Sequence, residues 1–284
     1  MIYKNITREE YNKLEGINAS RLKAYYEDSL TGNYEDSKPR VETEPMRKGT
    51  MTHSLILEPE SFNDEYELFP TCPSELWIKQ TGKDKGTKYK IKPKAVKEWE
   101  ENLPKDKKYY TTDLMELVHT MDESVQNDEG CKTILDLCPM RETAVTWIDE
   151  ITGLKCKALI DGLGKKLAMD LKTTRGIPKR FSTDIEGNHV LDLEATGKAI
   201  FWKLLVETKN ALQFSFYFDG VVANNLPVEK FGVAFVENDY PCAAHGIILS
   251  DERIEYGRGM YRRALDNWKN REDNKSCFNG IMEV

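Results

Sequence analysis

Asp161 and Asp170 stand nine residues apart, and Lys172 follows two positions later. They belong to the strings Ala158-Leu159-Ile160-Asp161 and Asp170-Leu171-Lys172-Thr173-Thr174. Whether they can act together depends on spacing. If the chain reverses through an even loop centred on Lys165 and Lys166, residues whose numbers sum to 331 lie opposite each other. Asp161 then faces Asp170, with β-carbons about 5 Å apart. Lys172 falls on the same face, because strand side chains alternate. Ile160, Met169 and Leu171 fall on the other face, free to enter a core. One hairpin thereby gathers two carboxylates and an ammonium at one edge.

Two carboxylates that close repel unless a positive charge lies between them. A divalent cation suits the pair: Mg²⁺ takes one or two protein carboxylates and leaves its other positions to water and phosphate oxygens. A lysine beside it can orient or deprotonate an attacking water and screen charge on a phosphorane. These residue types therefore suit metal-dependent phosphodiester hydrolysis. The competing reading of the three residues alone is an ordinary surface hairpin carrying an Asp–Lys ion pair.

The hairpin needs elements to hold it. Strands are expected over 142–149, 154–161 and 167–173, the first two joined by the turn string Glu150-Ile151-Thr152-Gly153. Further strands are expected over 229–236 and 243–250. Residues 18–27 read as a short helix with Asn18 or Ser20 as N-cap. Segment 31–45, with Gly32, Asn33, Pro39 and Pro45, reads as loop. A helix from Arg47 through Leu57 ends at Glu58-Pro59, since the residue before a proline avoids helical angles. Residues 70–93 read as a mobile loop. Helices are expected over 94–103, 111–137 and 198–219, the last two amphipathic, and over 251–270. The polar stretch 182–197 has no legible structure. The order points to an α/β fold: a mixed central sheet flanked by helices, with a helical N-terminal portion. One domain over 1–284 is expected, divided into a mainly helical part (1–140), a core sheet (141–250) and a C-terminal helix and tail (251–284).

Apolar residues at 39% in a chain of 284 support a substantial core. No apolar run approaches the roughly 20 residues of a membrane span, and Met1 to Glu15 lacks a signal-peptide segment. No membrane association and a cytoplasmic location are the expectations. The six cysteines (Cys72, Cys131, Cys138, Cys156, Cys242, Cys277) form no CxxC pair and read as free thiols rather than a zinc or iron–sulfur site. The net charge of −7 argues against a nucleic-acid partner until its distribution is considered. Lys79, Lys83, Lys85, Lys88, Lys90, Lys92, Lys94 and Lys97 face a single acid, Asp84, within one short stretch. That excess suits phosphate contact, or is a solvated loop. The run Gly82-Lys83-Asp84-Lys85-Gly86-Thr87-Lys88 has the wrong spacing for an ATP-binding loop, so no ATP is expected.

Four pieces of the chain, in order, resemble the PD-(D/E)xK nuclease superfamily, within it the exonuclease VIII (RecE)-like domains of phages, near the RecB-type nucleases. They are Gly49-Thr50-Met51-Thr52-His53 followed by Leu57-Glu58-Pro59; Glu142 opening the first strand; Ile160-Asp161 with Asp170-Leu171-Lys172-Thr173-Thr174; and Gln213 with Tyr217 on the following helix. The likeness spans roughly residues 17–260. It departs at Ile160, where the superfamily name has proline, and at 182–197, which is longer than expected.

The resemblance implies a restriction-endonuclease-like core. It implies that Asp161, Asp170, the Leu171 carbonyl and His53 hold Mg²⁺, with Mn²⁺ able to substitute, and that Lys172 is the catalytic lysine. Glu142 would hold a second metal or the attacking water. Gln213 and Tyr217, one turn apart on one helix face, would contact phosphate or buttress Lys172. Thr173, Thr174, Lys83, Lys85, Lys88 and Lys90 complete the expected DNA contacts. By resemblance alone the activity is a 5′→3′ exonuclease on linear duplex ends, working as a homo-oligomeric ring alongside a single-strand annealing protein in phage-type recombination. A catalytically silent nuclease-fold module that binds DNA or protein, and a restriction-like endonuclease, are the alternatives.

Overall fold

The turn that closes the central hairpin forms where Gly164 N–H donates to the Leu167 carbonyl at 2.8 Å, with Lys165 and Lys166 at its tip. A β-carbon on Gly164 would come 1.9 Å from the Leu137 carbonyl oxygen, so only glycine lets this turn lie against the preceding helix end. The pairs Gly162↔Met169 and Leu163↔Ala168 obey the expected register. The computed structural model describes the whole chain except residues 5, 40, 82, 84, 274 and 276–284.

The chain opens with β1 (Ile2–Tyr3) and the helices α1 (Arg8–Lys13), α2 (Ala19–Tyr25), α3 (Ser29–Ser37), α4 (Glu44–Leu57) and α5 (Pro59–Glu65). Next come β2 (Tyr66–Leu68), α6 (Lys94–Glu101), β3 (Lys108–Tyr110), α7 (Thr112–Asn127) and α8 (Glu129–Leu137). The hairpin strands follow: β4 (Met140–Ile148), β5 (Lys155–Leu163) and β6 (Leu167–Thr174). A small hairpin, β7 (Phe181–Thr183) and β8 (His189–Leu191), leads into α9 (Leu193–Ile200), a π-helical turn over Phe201–Val206, and α10 (Asn210–Val222). The chain then adds β9 (Lys230–Glu237), β10 (Ala244–Ile248) and α11 (Asp251–Lys269).

Six strands form one sheet in the order β1-β4-β5-β6-β9-β10. Every pairing is antiparallel except β6 with β9, which the long helical crossover makes parallel. This is an α/β fold of the restriction-endonuclease type, with helices on both faces of the sheet. Along β9, Phe231, Val233 and Phe235 enter a core shared with α2, α10 and α11. Ala234 and Val236 enter a second core shared with α4, α7 and α8. A strand buried on both faces reads as a continuous apolar run, as this one does.

Several expectations need correction. Residues 31–45 are largely helical: Asp28 caps α3 by accepting from Thr31 N–H at 2.7 Å, and Gly32 survives in the helix because Tyr25 fills the place of its side chain. Pro59 ends α4 as expected, but it also opens α5, where its missing N–H costs nothing. The expected helix 111–137 breaks at Asp128, whose extended backbone ends α7 and whose carboxylate caps α8 through Cys131 N–H. The same carboxylate accepts from Gly246 N–H on β10, so a long-range contact stabilises the break. The expected helix 198–219 likewise breaks at Lys209, at φ +58, and α10 beyond it is buried nearly all round rather than amphipathic. The 70–93 segment holds a 3₁₀ turn at Ser74–Trp77 and a bridge between Ile78 and Lys88. The 182–197 stretch is mostly the β7–β8 hairpin and the start of α9.

Cys131, Cys138, Cys156 and Cys242 are buried and free, and burial raises all four thiols above their ordinary range. Cys277 lies outside the described residues. Among those residues no helix is long and apolar enough to cross a membrane.

Candidate active site

The β5–β6 ladder stops one pair short of Asp161 and Asp170. There the Asp161 carboxylate takes over, its Oδ2 accepting from Leu171 N–H at 2.8 Å. Side-chain alternation loses phase at this point. Ile160 packs in the same core as Leu163, three residues on, and not with Met169 and Leu171 as expected. The cause is visible on the neighbouring strand. Glu142, opposite Asp161, drops out of the ladder between the pairs Arg141↔Gly162 and Thr143↔Ile160, and its φ is +42. A non-glycine residue in that region costs on the order of 1–3 kcal/mol, a cost that concentrates at functional sites.

Asp170 is 1% exposed and Asp161 8%. Lys172, two residues along β6, places Nζ 2.6 Å from Asp170 Oδ2. Oδ1 of Asp170 accepts from Gln213 Nε2 at 2.9 Å. Oδ2 is buried, with the Lys172 ammonium as its only close partner among the described residues. Burial, reinforced by the Asp161 charge, pushes Asp170 up to about 6. Asp161 is also raised, by burial, against the pull of Lys172. Burial and then Asp161 lift Glu142 to about 8. Three crowded carboxyl groups with raised proton affinity form a site short of positive charge.

His53 arrives from α4. A β-carbon on Gly49, one turn earlier, would meet Thr173 Oγ1 at 3.1 Å, so the glycine lets α4 lie close to β6. His53 Nδ1 is 3.6 Å from Asp161 Oδ2, and the ring also faces the Leu171 carbonyl. Burial and then the Lys172 charge push His53 down to about 4, leaving a neutral imidazole with a free lone pair. Among the described residues no three His, Cys, Asp or Glu side chains already converge as a metal cage. The donors that do gather are hard oxygens, a carboxylate oxygen held only by Lys172 among them, with one neutral imidazole. That set fits a divalent cation, Mn²⁺ somewhat better than Mg²⁺ in its nitrogen donor.

A cleft of about 1370 Å³ opens over this cluster. His53, Glu142, Lys172, Thr173 and Thr174 line it, while Asp161, Asp170 and Gln213 lie beneath that lining. Gln213 braces Asp170 rather than Lys172 and does not reach the cleft. Tyr217 lies near enough to feel both aspartates, and burial raises its phenol well above the ordinary range. Lys83, Lys85, Lys88 and Lys90 are not in the lining. Besides Lys172, the cations that are come from well-separated parts of the chain: Lys4 and Arg8, Lys108, Arg141, Arg175 and Lys203. Arg141 is engaged with carbonyls at the end of α8, and Lys108 pairs with Glu65 at 2.8 Å. Lys4, Arg8, Arg175 and Lys203 make no ion pair among the described residues, and the Arg8 charge is felt by His53, Glu142 and Asp161. Arg141 and Arg175 flank motifs and could have been found that way. Lys4, Arg8 and Lys203 carry no local signal.

The profile of the family described as "PDDEXK-like domain of unknown function (DUF3799)" matches residues 17–275. The chain belongs to this PDDEXK-like family. A crystal structure from Eubacterium rectale described as "Putative exonuclease" has the same fold, with TM-score 0.54 over 99% of this chain and 97% of that one, at 14% identity. No curated protein matches the chain. The PDDEXK-like assignment and the shared fold agree, and the chain carries a buried acid–acid–lysine cluster beneath the cleft.

Proposed function

We propose that this PDDEXK-like protein is a divalent-metal-dependent deoxyribonuclease that degrades linear duplex DNA from its ends. One observation carries the reading: Asp161 and Asp170 are buried together with raised proton affinities, and Asp170 Oδ2 is held by Lys172 alone, beneath a cleft edged with cations. Asp161, Asp170, the Leu171 carbonyl and His53 would hold Mg²⁺ or Mn²⁺. When bound, such an ion polarises the scissile phosphate and lowers the pKa of a coordinated water. Lys172 turns from Asp170 towards the cleft, orients the attacking water and screens the charge that develops on phosphorus. Glu142, projected into the cleft by its strained backbone, orients the same water. Lys4, Arg8, Arg175 and Lys203 grip flanking phosphates, while Thr173 and Thr174 donate hydroxyls.

The finer points of 5′→3′ polarity, a ring of identical subunits and partnership with a single-strand annealing protein in phage-type recombination follow the family likeness. A cytoplasmic setting, no use of ATP, Lys83, Lys85, Lys88 and Lys90 as DNA contacts outside the cleft lining, and one domain follow from the sequence itself. End-labelled linear and closed circular duplexes, incubated with Mg²⁺ or EDTA, test the reading in one gel. The expectation is Mg²⁺-dependent loss of the linear label with the circle intact. Cutting of the circle makes the protein an endonuclease, and no cutting with Mg²⁺ or Mn²⁺ makes it a silent binder.

A further inference from the structure

The side chain of Gln213 is held from both ends. Nε2 donates to Asp170 Oδ1 at 2.9 Å, and Oε1 accepts from Lys23 Nζ on α2 at 2.7 Å. The same ammonium donates to Asn210 Oδ1 at 2.7 Å, and Asn210 Nδ2 donates to the Leu204 carbonyl at 2.9 Å. A carboxamide has a donor end and an acceptor end of nearly equal shape, and a half-turn of its last torsion exchanges them. An ammonium offers donors only. As an ammonium, Lys23 admits only the oxygen end of Gln213, and it holds the amide in the same sense as the acceptor-only Asp170 carboxylate at its other end. Asn210 is locked in the same sense by the Leu204 carbonyl.

This arrangement is costly to keep. Burial and then the Lys172 charge lower Lys23 to about 7, so a second lysine is held beside the first against desolvation and like-charge repulsion. The hydrogen-bond chain crosses from the N-terminal helices to the crossover helix and ends on one carboxylate oxygen of the centre. Its other oxygen, Oδ2, has the Lys172 ammonium beside it at 2.6 Å. With Oδ1 held by Gln213, Oδ2 is directed towards Lys172 and the cleft that Lys172 lines.

We propose that Lys23 is a positioning residue for Asp170: it fixes the rotation of the Gln213 amide, and through it the direction in which the Asp170 carboxylate presents Oδ2. The consequence for metal binding rests on the nuclease reading above, whereas the hydrogen-bond chain does not. Removing a hydrogen-bonding partner of a metal-binding carboxylate weakens metal affinity by roughly 10–100-fold. Lys23 acts one step further out, so roughly tenfold is expected.

The full chain is measured as wild type, Lys23→Met, Lys23→Gln, Gln213→Leu and the Lys23→Met/Gln213→Leu double variant. In metal-free protein, the Gln213 side-chain NH₂ signals, assigned by their loss in Gln213→Leu, are expected away from the solvent-exposed glutamines and slow to exchange. Lys23→Met should move them to the exposed position. Lys23→Gln, which keeps an N–H donor, should hold them, and Lys23→Ala replaces Lys23→Met if the methionine variant does not fold. Signals that stay in place in both apolar variants overturn the proposal. By calorimetry, Mn²⁺ affinity should fall about tenfold in Lys23→Met and no further in the double variant than in Gln213→Leu alone. An added loss in the double variant overturns it too, since Lys23 would then act by its charge rather than through Gln213. A wild type that binds no Mn²⁺ defeats the nuclease reading, and the amide signals still decide the role of Lys23.

Discussion

Replacing Asp170 with asparagine should stabilise the metal-free protein while destroying its activity. Burial and the neighbouring Asp161 raise Asp170 from 3.8 to about 6. The folded protein therefore binds this proton more tightly than the unfolded chain. Its contribution is neutral below pH 3.8 and becomes unfavourable as pH rises through 6, where it levels off. At about 1.4 kcal/mol per pH unit, the carboxylate costs about 3 kcal/mol above that window. The introduced carboxamide would keep the acceptor for Gln213 Nε2 but turn its own NH₂ towards Lys172, whose side chain is 22% exposed and can swing away. The net gain for Asp170→Asn in EDTA at pH 7.5 is then about 1–3 kcal/mol. Urea unfolding of both proteins across pH 4 to 8 reads this out as a difference, in which groups remote from Asp170 cancel and those that feel its charge, such as Glu142 and His53, contribute a smaller part. The variant's advantage should be near zero at pH 4 and full by pH 7. Saturating Mg²⁺ should reverse the order, since a ligand at a hundred times its dissociation constant adds about 2.7 kcal/mol to the protein that binds it. A variant less stable than wild type at pH 7.5 in EDTA would refute the claim that the two carboxylates store unfavourable charge.

Lys172→Ala should abolish Mg²⁺-dependent DNA degradation while far-UV circular dichroism stays unchanged; residual hydrolysis near the wild-type rate would remove Lys172 from the chemistry. His53→Ala should raise the half-saturating Mg²⁺ concentration on the order of tenfold and leave DNA affinity in EDTA within twofold, and an unmoved Mg²⁺ titration would exclude the histidine. Arg8→Ala with Lys203→Ala should flatten the slope of log affinity against log salt by about 2, one phosphate contact each. Neutralising Lys83, Lys85, Lys88 and Lys90 together should lower affinity and flatten the slope further; an unchanged slope would make that stretch solvated surface alone. Gly164→Ala should cost on the order of 1–3 kcal/mol, since the added carbon would sit 1.9 Å from the Leu137 carbonyl; an unshifted urea midpoint would show that the turn can move freely.

The hairpin was legible because its information is local. Alternating side chains, a turn of fixed length and two acids at matching distances from its centre state the register outright, and the pairs Gly162↔Met169 and Leu163↔Ala168 obey it. Caps were legible for the same reason, as at Asn18, which accepts from Arg21 N–H at 3.0 Å. The breaks at Asp128 and Lys209 were not. Each interrupts a plausible helical period, and at Asp128 the deciding contact comes from Gly246, 118 residues away. Charge density along the chain likewise could not say that the lysine-rich stretch lies outside the cleft lining.

From the residues alone came the acids, the lysine, their common edge and the α/β order of elements, because strand period and turn length act over a few neighbours. Folding in three dimensions decided the rest. It buried Asp161 and Asp170 deeply enough to raise their proton affinity, strained Glu142 beside them, and brought Arg8, Lys23 and Lys203 to the centre from distant segments. Desolvation depends on everything packed around a group, and a surface cation has no periodic pattern to give it away. Only the assembled sheet and its helices could determine either.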